Sequence, residues 1–397
     1  MRDVVIVDGV RTAIGGMGGS LKDVEVEYLS EKVMREVIYR AGIDSADIDE
    51  VIWGNAKQSS DTPNLARLAA LRAKIPNEVP GYTVHRQCGS GLQSIHNAAQ
   101  QIMSGLSDIV LAGGGESMST APYYLRNARY GYRAGNSELV DPNTESQPRA
   151  QPIEVYGRLT MGLTAENLAE KYNISRKTQD EFALNSQEKA ANAIKSGLFN
   201  DEIIPYEIKT RKGITVFATD EHPRETSMEK LAKLPAVFKE GGTVTPGNSS
   251  GRNDGAAALL LMADEEASKR GLSPRARIVS QAVAGVSPEI MGIGPVPATK
   301  KALKLAGLTM EDIDLIELNE AFAAQSLAVI EELQIDQSKV NVNGGAIALG
   351  HPIGATGSIL MTKLMYEMER RKARYGLVTL CIAGGIGIST IIENLRR

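Results

Sequence analysis

Apolar residues fall along the chain in short runs that alternate with helical spacings. Val4 to Val7 is a strand-like run. Leu29, Val33, Val37 and Ala41 then recur at four-residue steps with Gly42 as a stop, which predicts a helix. Val51-Ile52-Trp53 and Tyr82 to Val84 read as further strands. A helix is expected from about Leu92 to Met103, and Ile109-Val110-Leu111 is a strand closed by Gly113-Gly114-Gly115. This alternation predicts a mainly parallel sheet covered by helices, an α/β fold.

Residues from about 120 to 247 break the pattern. They are rich in Tyr, Asn, Arg, Pro and charges, with helical spacing only after Thr164 and from Gln179 to Ile194. Such an excursion is either a decorated insertion or a loop domain lying over a site. From Gly255 the strand and helix alternation resumes.

An internal repeat organises the rest. Arg40 to Ala56 aligns without gaps to Leu305 to Ala321, each reading as a helix end, Ala-Gly, a turn with Asp-Ile-Asp, and a strand. Val110 to Thr120 (VLAGGGESMST) resembles Leu380 to Thr390 (LCIAGGIGIST) in the same order, which places Cys381 opposite Leu111. Two such matches favour duplication. The expected organisation is a first half over 1–120 with 248–271 returning to it, an inserted loop domain over 121–247, and a second half over 272–397.

At 397 residues the chain has room for two or three packed domains. A formal net charge of −4 gives no global attraction for nucleic acid or an anionic membrane, so an anionic substrate would be met locally. The start reads directly as a strand and the end, Leu395-Arg396-Arg397, is no peroxisomal signal. With no apolar run of membrane-spanning length, a reducing cytoplasm is the expected setting. The only cysteines, Cys88 and Cys381, form no CxxC pair or metal-ligand spacing, so no zinc is expected.

Cys88 lies in His85-Arg86-Gln87-Cys88-Gly89-Ser90-Gly91, between a strand and a helix. It is a small buried hydrophobe or a nucleophile. The second role is favoured by a turn that leaves room around the sulfur and by helix N–H groups aimed at it. His351, flanked by glycines and pinned by Pro352, has the setting of a rigidly held base. Cys381 ends an apolar strand before Ala383-Gly384-Gly385. In Asn319-Glu320-Ala321-Phe322, Glu320 reads as a first-turn acid and Asn319 as a strand-end amide in need of partners.

Together these segments resemble the thiolase family over essentially the whole chain. The matching segments are Val10-Arg11-Thr12, Cys-x-Ser-Gly, the Gly-Asn-x-Ser-Gly-x-Asn-Asp-Gly-Ala segment at 247–256, Asn-Glu-Ala-Phe, Gly-His-Pro-x-Gly-Ala, and the final Cys-x-x-Gly-Gly-x-Gly. The resemblance implies duplicated α/β halves packed as α-β-α-β-α layers with an inserted loop domain. It implies an acyltransferase of acyl-CoA and CoA that cleaves 3-ketoacyl-CoA, or runs the condensation in reverse, in fatty acid metabolism. No metal or other cofactor is implied, and family members are commonly homodimers or homotetramers. By resemblance Cys88 is the acyl-accepting nucleophile, His351 the base that deprotonates it or activates the incoming CoA thiol, and Cys381 the acid/base at the α-carbon. Asn319 would hold a water that, with His351, forms one oxyanion hole; the N–H groups of Cys88 and Ala383 would form the other. Arg224, Ser250, Met161, Phe322 and Ala321 are implied contacts to CoA or the acyl group.

Three positions depart from the family pattern. His85 stands where most relatives have Asn, Ala383 replaces a glycine, and Thr160 precedes Met161 where acetoacetyl-CoA-specific relatives often carry His. The last leaves room for longer or substituted acyl chains. The competing readings are a decarboxylating ketoacyl synthase, whose relatives lack a second catalytic cysteine, and a non-catalytic lipid-binding protein of the same fold.

Overall fold

The computed structural model describes residues 2–211 and 213–397. In the first half, β1 (Val4–Thr12) is followed by α1 (Val26–Ala41), β2 (Glu50–Gly54), α2 (Leu65–Arg72), β3 (Gly81–Val84), α3 (Ser90–Ser104) and β4 (Ile109–Ser117). The inserted segment contributes α4 (Met161–Lys171) and α5 (Arg176–Lys195), and the chain returns as β5 (Asn253–Ala263). The second half runs β6 (Ala276–Gly285), α6 (Pro295–Ala306), β7 (Leu315–Leu318), α7 (Ala323–Leu333), α8 (Thr356–Arg371), β8 (Tyr375–Ile382) and β9 (Ile386–Asn394).

The main sheet follows the path β7-β8-β9-β6-β1-β5-β4-β2-β3. Its first half reads β2-β4-β5-β1 and its second β7-β8-β9-β6, the same order of corresponding strands. In each, one parallel pair (β2 with β4, β7 with β8) is followed by two antiparallel ones, so the sheet is mixed and not mainly parallel as the strand and helix alternation predicts. The halves join through a short pairing of Val5 and Ile6 with Arg277 and Ala276. Equivalent glycines close the equivalent helices: Gly42 after α1 (φ 67°) and Gly307 after α6 (φ 66°) are left-handed, where a side chain would be strained.

Three apolar clusters define the layers. One holds α1 and α2 against the outer face of the first half. A second lies between the halves, where Leu92, Ile95 and Ile102 of α3 meet Leu360, Leu364 and Met368 of α8. The third packs α6 and α7 on the far face of the second half. Helices thus alternate with sheet through five layers. Each fully buried Leu or Ile of the middle layer stabilises it by about 1.5–3 kcal/mol, so this packing fixes α3 and α8 between the two halves.

The second repeat pair is corrected by the ladders. Trp53 pairs with Gly113 in the first half, and Leu318, its counterpart, pairs with Thr379 in the second. Cys381 therefore corresponds to Gly115, not Leu111. The similarity of VLAGGGESMST to LCIAGGIGIST spans one continuous strand in the first half but a strand, a turn and another strand in the second. Nor do Gly113 to Gly115 close a strand, since β4 runs through them to Ser117. They are glycines because β4 is crowded: a Cβ on Gly113 would lie 2.4 Å from the Trp53 ring, and one on Gly114 2.1 Å from the Gly354 carbonyl oxygen.

The inserted segment is anchored to the first half by a buried network. Arg11 of β1 donates from Nε to Glu202 at 2.7 Å and from Nη1 and Nη2 to Asp220 at 2.8 and 3.0 Å. Among the described residues no helix is long and apolar enough to cross a membrane.

Candidate active site

The strand ends and helix starts of both halves converge on one cleft of about 880 Å³, including its solvent-open mouth. Of the residues expected in the site, Cys88, His351, Cys381, Ala383, Met161, Ser250, Ala321 and Phe322 border it. Asn319 is fully buried and does not border it. Arg224 is exposed and outside the cleft, its backbone N–H donating to Gln187.

Cys88 sits in a turn between β3 and α3. Gln87, immediately before it, is held at φ 44°, an unusual conformation for a residue with a Cβ. The Ser90 hydroxyl pins the turn by accepting from Arg86 N–H at 2.9 Å and donating to the Gln87 carbonyl at 2.7 Å. The sharp bend is therefore carried by Gln87, not by the glycines after the nucleophile. Gly89 is small for another reason: a Cβ there would come within 2.4 Å of Ile382. Burial pushes the Cys88 thiol up, while the backbone N–H of Ala383, the charge of Lys57 and its own N–H pull it down. Two backbone donors from opposite halves thus point at one sulfur. Ala383 presents its N–H without a left-handed backbone, which falls instead on Gly384 and Gly385 (φ 88° and 82°). Replacing glycine by alanine here costs no strain.

His351 is fixed on both sides. Its N–H donates to Asn253 Oδ1 at 2.9 Å, and Asn253 is tied to the Gly15 carbonyl. Its Nδ1 lies 2.6 Å from Thr356 Oγ1, and that hydroxyl donates to the Pro352 carbonyl at 2.9 Å. The hydroxyl's one proton is therefore spent, so it accepts from Nδ1–H, and the lone pair of the neutral ring is on Nε2. Nε2 is buried and has no protein hydrogen-bond partner among the described residues. Burial lowers the imidazole to about 4, which keeps it neutral at ordinary pH.

Cys381 ends β8 in an apolar cluster with Met291, Phe322 and Ala321, backed by Met161 and Phe238. Burial, reinforced by the neighbouring Cys88, pushes its thiol far up. Both cysteines are free thiols. Phe322 and Phe238 meet edge to face, centroids 6.0 Å apart. The wall holds its place because Ser250 N–H donates to the Ala321 carbonyl and Ala323 N–H to Asn248. Both polar atoms of the Asn319 side chain lack a protein partner among the described residues. Glu320 is no first-turn acid. It is buried before α7 begins and accepts from Ser186, Asn341 and the Ile347 N–H, gathering the loop that leads to His351.

Of the departures, His85 is exposed and does not border the cleft. Thr160 caps α4 through the Leu163 N–H (3.4 Å), and so fixes the helix start at Met161.

Residues not foreseen also shape the site. Glu116 is buried and collects Asn55 Nδ2 and the N–H groups of Ala56, Lys57 and Gly354 at 2.8–3.1 Å. It bridges the end of β2 to the His351 loop, and burial raises it to about 7. Thr356 could have been found five residues after His351 in the quoted motif. Glu116 and Lys57 carry no local signal, since only the fold brings them here.

A duplicated α/β fold with a nucleophile turn and a second thiol facing one cleft defines a class of acyl-transferring enzymes. Residues 4–265 match the family described as thiolase, N-terminal domain, and residues 272–394 its C-terminal domain. The acetyl-CoA acetyltransferase of Escherichia coli strain K12 is 51% identical with full coverage of both chains. The Beta-ketothiolase BktB of Cupriavidus necator is 50% identical over 99% of this chain and 100% of its own. The crystal structure of the Bacillus anthracis acetyl-CoA acetyltransferase superposes with a TM-score of 0.97 at 49% identity, covering 100% of this chain and 99% of that one. Human mitochondrial 3-ketoacyl-CoA thiolase in complex with CoA gives 0.94 at 46% identity, covering 99% and 98%. The chain belongs to the thiolase family.

Proposed function

We propose that the protein is an acyltransferase that cleaves 3-ketoacyl-CoA with CoA, and runs the reverse condensation, through an acyl thioester on Cys88. The observation that carries the reading is two free thiols from opposite halves bordering one cleft, with the N–H groups of Cys88 and Ala383 directed at the first sulfur.

His351 Nε2 takes the Cys88 proton, and the thiolate attacks the 3-keto carbon. The N–H groups of Cys88 and Ala383 hold the resulting oxyanion, an arrangement that needs no reorganisation during the reaction. The C2–C3 bond breaks and the enolate of acetyl-CoA departs, its oxygen facing His351 and a water that Asn319 would hold. Cys381, a thiol kept protonated by burial, gives its proton to C2. The Cys381 thiolate then takes the proton of CoA, whose sulfur attacks the acyl group, and His351 returns its proton to Cys88. No step changes an oxidation state, so the chemistry calls for neither a redox cofactor nor a metal. Ser250 borders the cleft as a contact for CoA, with Met161, Ala321 and Phe322 facing the reacting groups; Arg224 would meet only the part of CoA outside it. A ketoacyl synthase is disfavoured by Cys381, which its chemistry does not use. A cytosolic location, a place in fatty acid metabolism and assembly as a homodimer or homotetramer complete the reading.

The test is thiolysis of acetoacetyl-CoA and longer 3-ketoacyl-CoA by the wild type and by Cys88→Ser. The serine variant is expected to fold normally and lose about a thousandfold or more in kcat. Undiminished turnover would remove Cys88 from the mechanism, and a wild type inert on every chain length would favour the non-catalytic reading.

A further inference from the structure

The cleft has two unlike walls. Met161, Phe238, Met291 and Phe322 make one apolar; Lys57, Asn143, Ser146 and Gln147 make the other polar. Lys57 stands just beyond β2, and Asn143, Ser146 and Gln147 come from the inserted segment. The Lys57 ammonium donates to Ser146 Oγ at 2.5 Å and the Pro142 carbonyl at 3.3 Å, both neutral, and makes no ion pair among the described residues. The two nearby carboxylates are engaged elsewhere. Glu116 is saturated by the donors named above. Asp141 caps Asn143 N–H and binds the Thr144 hydroxyl. Arg252, also on the cleft, is already paired with Asp141 at 3.6 Å, which leaves Lys57 as the cation without a carboxylate partner among the described residues.

A half-buried ammonium beside a reaction centre, hydrogen-bonded only to neutral partners, is better satisfied when an anion meets it. An acyl chain ending in hydrocarbon would leave it facing a methyl group. A chain ending in a carboxylate would complete it with a charge-assisted hydrogen bond, and Gln147 Nε2, held only by a 3.4 Å bond to the Asn143 carbonyl, offers a further donor. Resting on the thiolysis reading, we propose that the cleft selects 3-ketoacyl-CoA substrates whose acyl chain ends in a carboxylate, with Lys57 as the residue that pairs it. The rival role is a purely electrostatic bias on the Cys88 sulfur, which would act on every substrate alike.

Steady-state thiolysis of 3-oxohexanedioyl-CoA and 3-oxohexanoyl-CoA, equal in chain length and different only in the terminal group, separates these roles. The wild type is expected to favour the dioyl substrate in kcat/KM by about tenfold or more. Lys57→Met is expected to abolish that preference, with the acid substrate losing far more than the neutral one, and Lys57→Arg to keep part of it. A wild type that prefers the neutral chain, or a ratio that survives in Lys57→Met, overturns the proposal while leaving thiolysis intact. Failure of the wild type to cleave either substrate or acetoacetyl-CoA would instead overturn the reading on which it rests.

Discussion

A single hydroxyl decides which nitrogen of His351 acts. Because Thr356 spends its proton on the Pro352 carbonyl, it can only accept from Nδ1–H, and the lone pair that the proposed mechanism uses as base is on Nε2. Thr356→Val keeps the shape and removes the acceptor, so the ring loses its fixed tautomer. A fall in kcat of about ten- to a hundredfold is expected, with little change in KM. The pH profile follows from the same site. The proposed mechanism requires neutral His351, and burial holds its pKa near 4, below the ordinary 6.5. As pH falls, the base therefore survives the region where a free imidazole would be lost, and the acid limb of kcat/KM lies below 6.5. A limb at 6.5 that vanishes in His351→Ala would contradict this, as would an unaffected Thr356→Val enzyme.

The nucleophile turn, β4 and the loop from Gly350 to Ala355 form one packed unit. Gly114 of β4 stands where a Cβ would lie 2.1 Å from the Gly354 oxygen, a backbone atom that cannot swing aside. Gly114→Ala therefore displaces the loop bearing His351, at a cost of about 1–3 kcal/mol. A lowered melting temperature and reduced turnover are both expected; a variant matching the wild type in each would show that the loop yields freely. The elements themselves could be read from sequence because their signals are local. The spacing of Leu29 to Ala41, stopped by Gly42, gave a helix that the structure extends back to Val26. The glycines of β4 misled because their purpose is non-local: they admit Trp53 and Gly354, which no window of neighbouring residues contains. Glu320 misled likewise, since its partners Ser186, Asn341 and Ile347 come from distant segments.

Each half carries one thiol, at positions that do not correspond in the duplication, and both face the cleft where the halves meet. The gapless repeat around Gly42 and Gly307 revealed this architecture, because a helix stop, a turn and a strand are copied together. The other repeat failed by four residues, as glycine-rich similarity without a strand register does not fix correspondence. Motifs pointed to Cys88, His351 and Cys381, which the structure brings to one cleft, yet could not supply the polar wall, which depends on where the insertion folds back over β2. The division of labour between the two thiols is most directly tested in Cys381→Ala. The variant is mixed with acetyl-CoA in deuterated water, the acyl load on Cys88 followed by mass spectrometry and α-proton exchange by NMR. Cys88 is expected to be acetylated while exchange at the α-carbon stops. Continued exchange at the wild-type rate would mean that Cys381 is not the acid and base at that carbon.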